Sequence, residues 1–94
     1  MKKGILRVTT HGIMFWCKGC EHYHVINLDE GYSPITWDFN GDYDKPTISP
    51  SILVTEPTRG FVCHSFVTDG KIQYLSDCTH EFANQTIDLE DGEI

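Results

Sequence analysis

The sequence predicts a mostly β fold for residues 1–94, a single domain with little helix, stapled by a zinc site. Three observations predict this class. Short β-branched and apolar segments recur along the chain with turn residues between them. The chain has 94 residues, enough for one domain but too few for a large core. It also carries four cysteines, and small domains commonly compensate for a thin core with a metal or disulfides.

The predicted strands follow one another with turns between them. Each is a run of β-branched or apolar residues, and some alternate apolar with polar residues, as half-buried strands do. They span residues 5–10, 13–16, 24–28, 35–39, 52–55, 61–68, 71–77 and 85–89. Pro46 and Pro50 punctuate segment 45–51, which is predicted as a sheet edge or rigid loop because proline cannot donate to a sheet. One helical turn is predicted over 79–84, and the acidic tail at 90–94 is expected to fray.

The clearest turn signal is the dipeptide Asp69-Gly70, which suits a two-residue type I′ hairpin loop. With these residues as the loop, paired residue numbers on the two strands sum to 139. Cys63 and Cys78 then lie on one face as diagonal neighbours, while His64 points to the opposite face.

A metal site is predicted from the cysteines. The motif Cys17-Lys18-Gly19-Cys20 is typical of a zinc knuckle, and glycine tolerates the positive φ that such a turn often needs. The N-terminus lacks the long apolar segment of a signal peptide, so we expect a cytoplasmic protein with reduced thiols. A redox pair or free core cysteines are the alternatives. The predicted ligands of one structural Zn²⁺ are Cys17, Cys20, Cys63 and Cys78, with His80 as the substitute for Cys78.

Composition excludes several classes of partner. Seven basic residues against 14 acidic ones give a formal net charge of -7. A nucleic-acid binder needs a basic face, and an anionic membrane surface attracts basic segments, so neither partner is expected. No apolar run approaches the roughly 20 residues of a membrane span. The oligomeric state stays open.

Catalytic motifs do not stand out. We find no P-loop, no G-x-S-x-G and no H-E-x-x-H, and the sequence predicts no catalytic residue. His22 and His24 lie two residues apart, which suits either a second metal or two solvent-facing side chains. A Cys63–His64 nucleophile–base pair is disfavoured because adjacent strand residues point apart.

Five ordered motifs across residues 13–90 resemble a family of small uncharacterised bacteriophage and prophage proteins. They are C-x-G-C at Cys17, W-x-F-N-G-D at Trp37, K-P-T-x-S-P-S at Lys45, C-H-S-F at Cys63 and D-C-x-H at Asp77. The resemblance implies a phage origin and a host-cytoplasm setting, without an activity. It also suggests a recognition surface near the metal, with Trp37, Asp42, Pro46, Ser49, Ser51 and His64.

Two functional hypotheses follow. The first is a phage accessory module that binds a host protein, such as an inhibitor of host defence, since an acidic protein complements basic surfaces. The alternative is a small zinc-dependent enzyme, with a Cys-ligated metal and His80 or Asp77 as acid/base. Under the first hypothesis the protein has no catalytic activity.

Overall fold

The computed structural model describes residues 2–91, which form nine strands in two antiparallel sheets and contain no helix. The strands are β1 (Lys2–Lys3), β2 (Leu6–Val8), β3 (Gly12–Cys17), β4 (His22–Asn27), β5 (Asp38–Phe39), β6 (Ile48–Glu56), β7 (Phe61–Thr68), β8 (Lys71–Tyr74) and β9 (Thr86–Asp88). The first sheet has the order β1-β2-β3-β4 and the second β5-β6-β7-β8-β9. The predicted fold class is confirmed.

One hydrophobic core lies between the two sheets. Strand alternation sends Phe15 and Ile26 inward from the first sheet, and Ile52, Val67 and Ile72 inward from the second. Burying such a side chain stabilises the fold by about 1.5–3 kcal/mol. No helix within residues 2–91 is long and apolar enough to cross a membrane.

The β7–β8 hairpin has the predicted register. Ser65 pairs with Tyr74 and Thr68 with Lys71, and both loop residues between the strands have positive φ, as a type I′ turn requires. Beyond Tyr74 the register shifts. The Leu75 amide donates to His64, whereas the Thr79 amide donates to Val62, so two extra residues bulge out between them.

The prediction of a loop or edge over 45–51 is wrong for residues 48–51. These residues form the first part of β6, which lies between β5 and β7. Pro50 is accommodated because the β6–β7 register shifts between Ile48 and Ile52, and proline is tolerated at such irregularities.

The remaining differences are at loops and ends. Only Asp38–Phe39 of the predicted 35–39 strand is paired, and residues 80–84 form a turn that is not helical. The expected frayed tail covers 90–94. Within it, Glu90 forms a β-bridge with Trp16, and Asp91 forms a salt bridge with Arg7 at 3.0 Å. Residues 92–94 lie outside the described part of the chain.

Candidate functional site

Ser51, His64 and Asp77 form a hydrogen-bonded row on the outer face of the second sheet. His64 Nδ1 lies 3.1 Å from Asp77 Oδ2, and His64 Nε2 lies 3.1 Å from Ser51 Oγ. Because a carboxylate only accepts, Nδ1–H donates to Asp77 and leaves the Nε2 lone pair facing the serine hydroxyl, which donates to it. This is the geometry of a nucleophile, its base and the group that orients the base.

Strand register brings the serine to the histidine. Leu53 of β6 pairs with His64 of β7, and Ser51 lies two residues before Leu53, so all three side chains share the outer face. The indole Nε1–H of Trp37 donates to the Ser51 carbonyl at 3.3 Å and fixes the backbone that carries the hydroxyl. His64 faces away from Cys63, as the sequence predicted.

The bulge at residues 75–78 brings Asp77 to His64. The Cys78 amide closes the turn by donating a hydrogen bond to the Leu75 carbonyl at 3.2 Å. The Cys78 sulfur accepts from the His64 amide and donates to the His64 carbonyl, both at 3.2 Å. The Asp77 side chain stays 54% exposed and that of His64 26%, so the row is accessible from solvent.

A second cluster is formed by the β3–β4 hairpin and the inner face of β7. Ligand atoms of Cys17, Cys20, His24 and Cys63 all lie within 4.8 Å of one another, positioned for metal binding. The sulfurs of Cys17 and Cys63 are 3.8 Å apart, the spacing that tetrahedral Zn–S bonds of about 2.3 Å produce. Cys20 Sγ lies 3.5 Å from His24 Nε2. The cluster therefore joins β3 and β4 of the first sheet to β7 of the second.

The close approach of the three sulfurs separates their pKa values. Hydrogen bonds from Cys20 and then Cys63 lower the pKa of Cys17, so its sulfur is the first to ionise. The same contacts raise the pKa of Cys63 and raise that of Cys20 to about 12, because the Cys17 sulfur is their neighbour. Since metal ligation needs thiolates, a cation is what allows all three sulfurs to ionise together.

The C-x-x-C turn has knuckle geometry, but Gly19 is needed there for a reason other than the expected positive φ. The Cys20 amide donates to Cys17 Sγ at 3.4 Å, and the positive φ, 58°, falls on Glu21. Gly19 is required for space, since a Cβ there would lie 2.4 Å from the His80 ring. The Gly19 amide also donates to the Tyr74 hydroxyl at 3.2 Å, which ties the knuckle to β8.

Gly19→Ala is expected to lower the free energy of unfolding by about 1–3 kcal/mol, because the methyl group must displace the half-buried His80 ring, which packs against Tyr74. Thermal melting monitored by circular dichroism measures the loss. The control is Gly31→Ala, where the nearest atom is a carboxylate oxygen at 3.2 Å on an exposed loop. Equal melting temperatures for the two variants would contradict the packing argument.

The other predicted metal residues lie beside this cluster. Cys78 and His80 form a group with Cys63 whose ligand atoms lie within 4.8 Å of one another. The His80 ring packs edge-on against Tyr74, with its Nδ1 accepting from the Phe82 amide at 3.2 Å. His24, for which the sequence left a second metal or solvent exposure open, is buried beside Cys20.

Other members of the predicted recognition surface lie outside the Ser51–His64–Asp77 row. Asp42 accepts from the amides of Lys45 and Asp44, both at 3.0 Å, and these bonds lower the pKa of its carboxyl group. Pro46 is buried, whereas Ser49 is exposed on β6.

The sequence predicted Ser51 and His64 as members of one recognition surface and Asp77 as an acid/base at the metal, and it did not predict that the three side chains form one row. The signal that joins the first two is the loop 57–60, which pairs Glu56 with Phe61 and so sets the register of β6 on β7. Counting back from that loop places Ser51 diagonal to His64.

Comparison with known proteins adds one finding. No curated protein matches the chain, and no solved structure does. Residues 1–75 match the family model of BubE, described as the bacterial ubiquitination-like system serine protease. The match includes Ser51 and His64 and ends two residues before Asp77. Because it covers most of the 94 residues, the chain belongs to the BubE family.

Proposed function

We propose that this protein is a serine protease acting in a bacterial ubiquitination-like system. Ser51 is the nucleophile, His64 the general base, and Asp77 the residue that orients His64. The proposal rests on two 3.1 Å contacts of the His64 ring. One ring nitrogen faces the Ser51 hydroxyl, and the other faces the Asp77 carboxylate. The family description names the same class of enzyme.

The chemistry follows from the direction of these hydrogen bonds. Ser51 Oγ attacks the substrate carbonyl while its proton passes to His64 Nε2, and Asp77 stabilises the imidazolium that forms. His64 then gives the proton to the leaving amine as the peptide bond breaks, leaving an acyl-Ser51 ester. Water attacks this ester and passes a proton to His64, and the proton returns to Ser51 as the acid leaves.

We also propose that the metal is zinc, held by Cys17, Cys20, His24 and Cys63. Three thiolates and one imidazole are a common structural zinc set, and four protein ligands leave no position for a reactive water. The alternative enzyme, with His80 or Asp77 as acid/base at the metal, fits less well, because Asp77 bonds to His64. The four-sulfur set with Cys78 stays a prediction.

Phage origin, a cytoplasmic setting and a host-protein partner also stay predictions. The Ser51–His64–Asp77 geometry favours an enzyme over a binding module, because one hydrogen bond lies on the path of proton transfer and the other orients the imidazole for it. The acidic surface is compatible with either function.

The proposal is tested with Asp77→Asn. The amide keeps the size of the side chain but removes the charge that orients and stabilises protonated His64, so ester or peptide hydrolysis is expected to fall at least about a hundredfold. Steady-state kinetics on a chromogenic ester measure this. The matched control is Asp29→Asn, because Asp29 makes the same kind of pair with His11, at 3.0 Å, in loops beside the first sheet. Equal activity of the two variants would refute the role given to Asp77.

A further inference from the structure

We propose that Leu53 and Phe66 form a subsite that binds an apolar side chain of the substrate, next to the bond that Ser51 attacks. The inference rests on the proposed protease function and names the class of residue that the enzyme prefers.

Position is the first argument. Leu53 pairs directly with His64 across β6 and β7, and Phe66 lies two residues beyond His64 on the same face. Side chains directly opposite in an antiparallel pair have Cβ atoms about 5 Å apart, and residues two apart on one strand are separated by about 7 Å along it. Both apolar side chains are therefore neighbours of the imidazole that activates Ser51.

Exposure is the second argument. Leu53 is 57% exposed and Phe66 41%, although the outer face of a one-sided sheet normally carries polar residues. The inward residues next to them, Ile52 and Ser65, are buried. These two side chains therefore do not pack in the core, and they remain available to a ligand on the outer face.

The proposed reaction at Ser51 determines what would occupy the subsite. For Ser51 Oγ to attack, the substrate carbonyl must come into contact with it, so the residues flanking the scissile bond necessarily lie against this face. A Leu- or Phe-like side chain there removes Leu53 and Phe66 from water, whereas a carboxylate would lose its hydration without gaining a partner.

The experiment uses two fluorogenic peptide amides that differ only in the residue before the scissile bond, Leu or Asp. The wild-type chain is expected to favour the Leu peptide by about tenfold or more in kcat/KM. Leu53→Ala and Phe66→Ala are each expected to raise KM for that peptide about tenfold, with kcat within about twofold. Val25→Ala, at a 66% exposed site on the first sheet, is the control that should match wild type.

Labelling of Ser51 by a fluorophosphonate separates the two proposals, because this small probe needs the triad and not the subsite. Three results overturn the subsite and leave the triad standing, provided that Ser51 is labelled normally. They are no preference for the Leu peptide, no peptide cleavage, and Leu53→Ala and Phe66→Ala variants that are both indistinguishable from Val25→Ala. Absence of labelling together with absence of cleavage overturns the protease function itself.

Discussion

Ser51→Ala is expected to reduce hydrolysis of esters and peptides by about 10³–10⁶-fold, because it removes the hydroxyl that faces His64 Nε2. The melting temperature should stay within a few degrees, since the variant removes one half-buried hydroxyl and no core atom. Single-turnover hydrolysis and thermal melting of the same preparation measure the two effects.

Ser49→Ala is the matched control for that loss. Ser49 lies on β6, two residues before Ser51, and is exposed. Its replacement should leave the rate unchanged, because its strand partner is Asp38 of β5, which is not a member of the triad. A Ser51→Ala enzyme that retains the rate of Ser49→Ala would show that the nucleophile is elsewhere.

Removal of the proposed zinc is expected to unfold the chain. The Cys17, Cys20, His24 and Cys63 cluster links the two sheets, and structural zinc of this kind contributes folding free energy on the order of 10 kcal/mol. That value is comparable with the whole stability of a small domain, about 5–15 kcal/mol. Thermal melting with and without a strong chelator, beside metal analysis of freshly purified protein, measures the effect.

Two outcomes would contradict the metal account. One is freshly purified protein that contains no metal, and the other is a chelated chain that melts within a few degrees of the untreated one. Cobalt substitution separates the ligand sets, because charge-transfer absorption increases with the number of thiolates. Cys78→Ala should leave the cobalt spectrum unchanged if His24 is the fourth ligand, and should weaken it if Cys78 is.

The β7–β8 hairpin shows what could be predicted from local sequence. A type I′ loop at Asp69-Gly70 fixes the register of its strands, and strand alternation then separates the faces of Cys63 and His64. The C-x-x-C knuckle was likewise recognisable, since its spacing directly determines its turn.

The whole triad could not be assembled in this way. The regular register from loop 57–60 to Ile52 brings Ser51 close to His64, but Asp77 lies in the bulge after Tyr74. That bulge adds two residues on one strand. A two-residue insertion leaves the inward–outward alternation intact, so periodicity gives no sign of it.

His24 shows a different limit. Alternation places His22 and His24 on one face of β4, but apolar residues occupy both faces, as Val25 and Ile26 do. Only packing against the second sheet determines that the face of His24 turns inward, toward Cys20.

The most direct test of the account is to map the site of fluorophosphonate modification on the native wild-type chain by peptide mass spectrometry. The Ser51–His64–Asp77 geometry predicts a single adduct, on the peptide that contains Ser51, and its loss in His64→Ala and in denatured protein. An adduct on another residue, or no adduct on folded protein, would contradict the assignment of Ser51 as the nucleophile.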